Sequence, residues 1–256
     1  MITTDVTWFN YLVIGWIILA ILLLPLLIFV RAPYGRHSNE KWGPMIDNKL
    51  GWILMESPSL FMFAILFLIG PVEKTTTSWI FFACWTFHYT NRSFIFPLRT
   101  KTNGKKMPLM ISLSAVLFNL VNGGINGYFL GFLGPEYSVA WMQTPQFIIG
   151  ISLFIIGMVI NWQSDNILLN LRKPGEGGYK IPQGGLFKYV TSPNFFGEII
   201  EWTGFAIMVW SLPALSFAIW TFCNLVPRGL NHHAWYKEKF GSDYPSDRKA
   251  ILPGLV

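Results

Sequence analysis

The sequence predicts an all-α integral membrane protein, a seven-transmembrane helix bundle with its amino terminus outside and its carboxyl terminus in the cytoplasm. Three observations predict it. Of the 256 residues 52% are hydrophobic and only 12% charged, where a soluble domain carries about 25% charged residues. The apolar residues gather into runs close to the ~20 residues that a helix needs to cross the hydrocarbon. Lysine and arginine gather between those runs, on alternate sides, as cytoplasmic loops require.

The first run, 8–30, is uncharged and ends at Arg31. It lacks a basic leader and is long enough to span, so it reads as a membrane helix and not a cleaved signal. The second, 50–72, is interrupted only by Glu56, and the third, 75–98, holds His88, Tyr89 and Arg92. The fourth, 107–133, is uncharged but rich in glycine and asparagine ("NLVNGGINGYFLGFL"), a composition that lets helices approach closely. The fifth, 144–170, turns polar at its end ("NWQSDNILLNLR") and is expected to extend beyond the bilayer.

Residues 195–226 are too long for one upright span and short for two, and charge decides between them. Lys and Arg number none before the first run, four in 31–49, one (Lys74) in the next loop and four in 99–106. They then number none in 134–144, four in 172–188 and five from Arg228 onward. The last two segments are both basic, so an even number of crossings separates them. Residues 195–212 and 213–227 are therefore expected to form a helical hairpin turning near "SLPA", with Pro213 as the breaker. Segments 99–106 and 171–194 and the tail 228–256 then share the cytoplasmic side of one domain spanning 1–256. Cys84 and Cys223 lie in apolar runs, which predicts free thiols. The net charge of +6 resides in these loops, the membrane pattern, so no nucleic acid is expected, and no protein partner is evident.

Several polar side chains fall at membrane depth, where a charge costs at least ~2.5–3.5 kcal/mol. On the fifth helix Asn161, Asp165 and Arg172 lie within about 40° of one another at 3.6 residues per turn. That face is either a helix-end salt link or a polar stripe lining a cavity open to the cytoplasm. Glu198 and Glu201, in "SPNFFGEIIEW", share a face just after a helix start at Pro193 and Asn194. Glu198 suits the positive end of the helix dipole, whereas Glu201 lies deeper. In "PRGLNHHAWYKEKFG", Arg228, His232 and Tyr236 fall at i, i+4 and i+8. Arginines, asparagines and a histidine at the cytoplasmic ends of several helices suit phosphate recognition. The chain holds four histidines, with no HExxH and no pair of ExxH motifs, so no metal site is expected.

The loop "LRKPGEGGYKIPQGGLFKYVTSPN" is too long for a simple turn and reads as a functional segment or a flexible lid. It contains neither GxGxxG nor GxxxxGK[ST]. Glu56 ("GWILMESPS") and Tyr89 ("FHYTNRS") occupy separate spans. A buried carboxyl without a cation tends to stay protonated. Beside a tyrosine hydroxyl it would hydrogen-bond a carbonyl oxygen as an oxyanion hole does, or simply tie two helices together.

Five segments together resemble the steroid 5α-reductase family: "GWILMESPS", "FHYTNRSFIFPL", "INWQSDNILLNLRKPGEGGYKIPQGGLFKYV", "SPNFFGEIIEWTGFAIMVWSLPALSFA" and "HHAWYKEKFGSDYPSDRKAILP". They run in the family's order from about residue 50 to the end. The resemblance implies NADPH-dependent reduction of the 4,5 double bond of a 3-oxo-Δ4-steroid. Glu56 and Tyr89 match the catalytic pair on the C3 ketone, and Trp52 matches a residue lining the steroid pocket. Asn161, Asp165, Arg172, Asn194, Arg228, His232 and Tyr236 match the cofactor-binding set. Glu198 and Glu201 fall where the family's acids support the nicotinamide half, and Lys105 and Lys106 near those meeting the adenosine phosphates. Met55 stands where vertebrate steroid enzymes have glutamine, and "TSPN" replaces a "GAN"-type stretch. The alternatives are a reductase of another enoyl lipid (enoyl-CoA or polyprenol) and an isoprenylcysteine-type methyltransferase using S-adenosylmethionine. A non-enzymatic sterol-binding scaffold is the third. The expected setting is a bacterial inner membrane or endoplasmic reticulum, with the site open to the cytoplasm.

Overall fold

Helix α1 (Thr7–Phe29) follows the first apolar run almost residue for residue. This computed structural model describes residues 6–29, 40–101, 104–172 and 176–254, so parts of the predicted loops 99–106 and 171–194 lie outside the described residues. Past α1 come β1 (Met45–Asp47) and α2 (Asn48–Ile69). Then follow α3 (Thr76–Thr90), a π turn at Asn91–Ile95 and α4 (Phe96–Arg99). β2 (Lys106–Pro108) leads into α5 (Leu109–Tyr128), which ends in a second π turn at Phe129–Leu133. Helices α6 (Pro145–Leu169), α7 (Pro193–Val209) and α8 (Leu212–Phe240) complete the chain. Four described helices are long and apolar enough to cross a membrane: α1, α2, α5 with its π turn, and α6. The chain is a membrane protein by this measure; the count of seven is a proposal taken up below.

The chain divides into two units. The first takes in 1–14 and 32–148. Its core is the crossing of α2 on α5, which glycines make close. A Cβ at Gly123 would stand 2.7 Å from the Ser59 carbonyl oxygen, and one at Gly127 2.7 Å from that of Phe63. This is the close approach that the glycine-rich fourth run predicts. Asn119 Nδ2 donates to the Met55 carbonyl at 2.5 Å, so an asparagine of that run bonds across the same seam. The π turn after α3 has a local cause. Pro97 has no N–H to offer, and the preceding turn widens until the Phe96 N–H reaches the Asn91 carbonyl.

One strand pair amends the all-α expectation. β1 and β2 pair antiparallel, Ile46 opposite Met107, and bring together the ends that lead into α2 and α5. Asp47 then caps α2 by accepting from the Lys49 and Leu50 N–H groups at 2.9 and 3.1 Å. Lys74, the one base on the predicted outer loops, also has a structural task. Its ammonium donates to the Gly70 carbonyl at 3.0 Å and to that of Val72, satisfying the end of α2.

The second unit takes in 15–31 and 149–256. Here α6 and α7 meet through four glycines: a Cβ at Gly197 would stand 2.6 Å from the Gly157 oxygen, and one at Gly204 2.6 Å from the Gly150 oxygen. The predicted hairpin between 195–212 and 213–227 exists as α7 and α8, turning at Trp210, whose φ of 52° is left-handed. Pro213 is not the breaker the sequence reading made it. It sits in the first turn of α8, where no N–H is needed, and Ser211 caps that helix through the Ala214 N–H at 3.3 Å. Nor does α8 stop at 227: it runs through Pro227 to Phe240, so much of the predicted tail is helix.

Candidate functional site

In the first unit, α2 carries Trp52, Glu56, Ser59 and Phe63 at i, i+4, i+7 and i+11, one stripe of the helix. α3 presents Phe82, Trp85 and Tyr89 to it, and the π turn adds Arg92. The two helices meet antiparallel in successive rungs. Phe67 lies 4.9 Å from Phe82, and Phe63 stacks on Trp85 at 4.5 Å. Trp85 Nε1 donates to the Ser59 carbonyl at 3.3 Å. At the far end the Arg92 guanidinium stands 5.0 Å from the Trp52 ring and 4.9 Å from Phe96. By their places in the sequence of each helix, Glu56 and Tyr89 fall between the Ser59–Trp85 and Trp52–Arg92 contacts. Tyr89 is buried, its ring 5.3 Å from Trp85 and 5.1 Å from His88. Glu56 and Trp52 are half-buried. Lys105 and Lys106 are exposed at the strand pair.

In the second unit, the glycine contact between α6 and α7 brings the next set together. Asn161 and Asp165 are both buried on α6. Asn161 Nδ2 donates to the Asn194 carbonyl at 3.0 Å, and Asn194 Nδ2 donates to Asp165 Oδ1 at 3.2 Å. The stripe inferred from spacing is thus closed by the first turn of α7. Glu201 is 1% exposed, its backbone against Gly157, while Glu198 is half-buried. Arg228, His232 and Tyr236 do share a face of one continuous helix, and His232 lies 5.3 Å from Phe195, beside Asn194. Arg172 takes a different part: its guanidinium donates to the Gly178 carbonyl at 3.3 Å, holding the start of the long loop.

The sequence reading missed what ties this end together. The carboxyl-terminal segment folds back on the loop, with Thr191 N donating to the Lys249 carbonyl at 2.8 Å and Ser192 N to that of Ala250 at 3.1 Å. Arg248, 2% exposed, donates to the Pro182 carbonyl at 3.2 Å. The second half of the loop is therefore pinned, which argues against a free lid. Thr191 Oγ1 lies 2.6 Å from both His233 Nδ1 and the Tyr244 hydroxyl. The signal was present in the second histidine of "HH" and in aromatics at 236, 240 and 244, a helical spacing.

A profile of the 3-oxo-5-alpha-steroid 4-dehydrogenase family matches residues 105–256. The chain is 40% identical over 255 residues to steroid 5-alpha-reductase DET2 of Gossypium hirsutum, covering 98% of each. It is 42% identical over 236 residues to 3-oxo-5-alpha-steroid 4-dehydrogenase 1 of Bos taurus, covering 90% of each. Against the Homo sapiens protein of that name the identity is 41% over 224 residues, covering 87% of this chain and 85% of the relative. A membrane protein of this composition, with these two polar clusters, belongs to the 3-oxo-5-alpha-steroid 4-dehydrogenase family.

Proposed function

We propose that the protein reduces the 4,5 double bond of a 3-oxo-Δ4-steroid to the 5α-dihydro product, using NADPH. The observation that supports this reading is the run of aromatic contacts along α2 and α3, Phe63 on Trp85, Trp85 on Tyr89 and Trp52 on Phe96, within which the register places Glu56 and Tyr89. A flat apolar ring system suits aromatic surroundings of this kind, and two hydroxyl-bearing groups suit its ketone. A protonated Glu56 and the Tyr89 hydroxyl donate to the C3 oxygen, so negative charge developing on that oxygen is stabilised in a site sheltered from water. C5 receives the hydride, the electron pair of the double bond moves to form the C3–C4 enolate, and C4 then takes a proton.

The donor set of the second unit fits a phosphorylated dinucleotide. Asn161, Asp165 and Asn194 form a buried amide–carboxylate network. Arg172, Arg228, His232 and Tyr236 supply cationic and hydroxyl donors. Bound there, NADPH supplies the hydride. Glu198 and Glu201 support the carboxamide end, which accounts for two acids in an otherwise apolar helix. We propose seven spans, with this set opening to the cytoplasm; the runs of α3, α7 and α8 are short, but the charge alternation supports them.

NADPH oxidation by the purified protein in detergent, with testosterone or progesterone added, tests the reading. Steroid-dependent oxidation with a 5α-dihydro product is expected. Binding of NADPH with no steroid reduced would move the search to enoyl lipids, and no NADPH binding would overturn the reductase reading. Glu56→Gln and Tyr89→Phe should each lower kcat by about 10²-fold or more while NADPH still binds; loss of NADPH binding in both would remove their assignment to the ketone.

A further inference from the structure

Thr191, His233 and Tyr244 lie outside every role given so far, yet each adjoins a residue of the proposed cofactor set. Thr191 stands three residues before Asn194, on the segment that leads into α7. His233 follows His232 on α8. Tyr244, from the returning carboxyl-terminal segment, stacks on the Tyr236 ring at 5.6 Å with the planes 22° apart. One hydroxyl joins all three: Thr191 Oγ1 is 2.6 Å from His233 Nδ1, 2.6 Å from the Tyr244 hydroxyl and 3.1 Å from the Lys249 carbonyl. Threonine has a single proton to give. The Lys249 carbonyl can only accept, so Thr191 donates to it, and the Tyr244 hydroxyl and the protonated Nδ1 tautomer of His233 can then both donate to Thr191. Thr191 is 5% exposed and Tyr244 4%, so water offers no easy replacement.

We propose that Thr191, His233 and Tyr244 are positioning residues of the cofactor site, joining the start of α7, α8 and the carboxyl-terminal segment so that Asn194, His232 and Tyr236 are held in one arrangement. The proposal rests on the reading of the second unit as the NADPH site. None of the three touches the cofactor in this account. Each acts through its neighbour, and the effect belongs to cofactor affinity, with the chemical step at the ketone left alone.

The test is NADPH binding and steady-state turnover of the full chain in detergent for Thr191→Val, Thr191→Ser and Tyr244→Phe, each with its Tm. Thr191→Val keeps the shape and removes the hydroxyl. It is expected to weaken NADPH binding about tenfold, through the loss of the hydroxyl's hydrogen bonds, and to raise the NADPH KM alike. Turnover at saturating NADPH should stay within about twofold. Thr191→Ser, which keeps the hydroxyl, should recover most of the affinity. A folded Thr191→Val variant that binds NADPH as the parent does, losing only Tm, would overturn the proposal. If Thr191→Val does not fold, Tyr244→Phe decides: it keeps the ring stack and removes one bond, and unchanged NADPH affinity there overturns the proposal equally. Failure of the underlying reading looks different, because the parent protein itself would not bind NADPH.

Discussion

Arg92 shows how much of the proposed substrate face depends on single side chains. Its guanidinium stands 5.0 Å from the Trp52 ring and 4.9 Å from the Phe96 ring, and those rings meet edge to face 5.7 Å apart. A planar delocalised cation is weakly hydrated and suits an aromatic neighbourhood, whereas an ammonium is a strongly hydrated point charge. Arg92→Lys should therefore loosen Trp52, raising the steroid KM about three- to tenfold for a lost cation–π contact of ~1 kcal/mol with a smaller change in kcat. Steady-state kinetics at saturating NADPH would read this, and an unchanged KM would separate Trp52 from substrate binding. Residues of this kind were unevenly legible. Asn161 and Asp165 declared themselves as polar groups in an apolar run, because the bilayer makes any such group conspicuous. Arg92 was visible only as a charge in a span. Thr191 was not visible at all: an ordinary residue in loop-like sequence, it acquires a role only when the carboxyl-terminal segment folds back on Val190.

Among the elements, one close helix contact is especially informative. Gly157 and Gly197 bring α6 and α7 together where Asn161 meets Asn194. A methyl at Gly197 would overlap the backbone at Asn161 and Gly157, and neither backbone can turn away. Gly197→Ala is expected to cost about 1–3 kcal/mol by overpacking and to spread the amide network, lowering Tm and NADPH affinity together. Gly15→Ala is the control, since a Cβ there meets nothing within 4 Å. An unchanged Tm for Gly197→Ala would mean the helices can slide apart freely. Long helices were legible because an apolar run of fixed length has few alternatives. The three-residue strands were not, since a pair so short carries no alternation to read. Pro213 misled for a related reason: proline ends one helix and begins another with the same local sequence, and only the neighbouring Trp210 turn shows which.

At the scale of the whole molecule, pH and sidedness are the properties to predict. His233 titrates below its ordinary 6.5, first because it is desolvated and then because Lys237, Arg248 and Lys249 surround it with positive charge. As pH falls below 6.5, the unfolded chain takes up the proton before the folded chain does. Stability from this group is therefore intact above 6.5 and declines as pH falls through that value toward the lowered folded pKa. A Tm series from about pH 7.5 to about pH 5 should fall less steeply for His233→Gln than for the parent; parallel curves would show that His233 does not set this limb.

Sidedness follows from the charge alternation, and a single set of cysteines tests it. Glu136, Lys180 and Asp247 are all exposed and lie in three different connecting segments. Seven spans place Glu136 outside and both Lys180 and Asp247 in the cytoplasm, because α7 and α8 cross out and back. In a background with Cys84 and Cys223 replaced by serine, a membrane-impermeant maleimide applied to sealed cells or vesicles of known orientation should label Glu136→Cys on the outer side. Lys180→Cys and Asp247→Cys should label only once the membrane is opened. If Lys180→Cys and Asp247→Cys label from opposite sides, α7 and α8 do not both cross and the even count between the basic segments is wrong. If all three label from one side, the alternation of basic loops does not report crossings in this chain. The expected pattern would put Arg172, Asn194 and Arg228 on the side where NADPH is found, and would join the sidedness of the chain to the chemistry proposed for its polar residues.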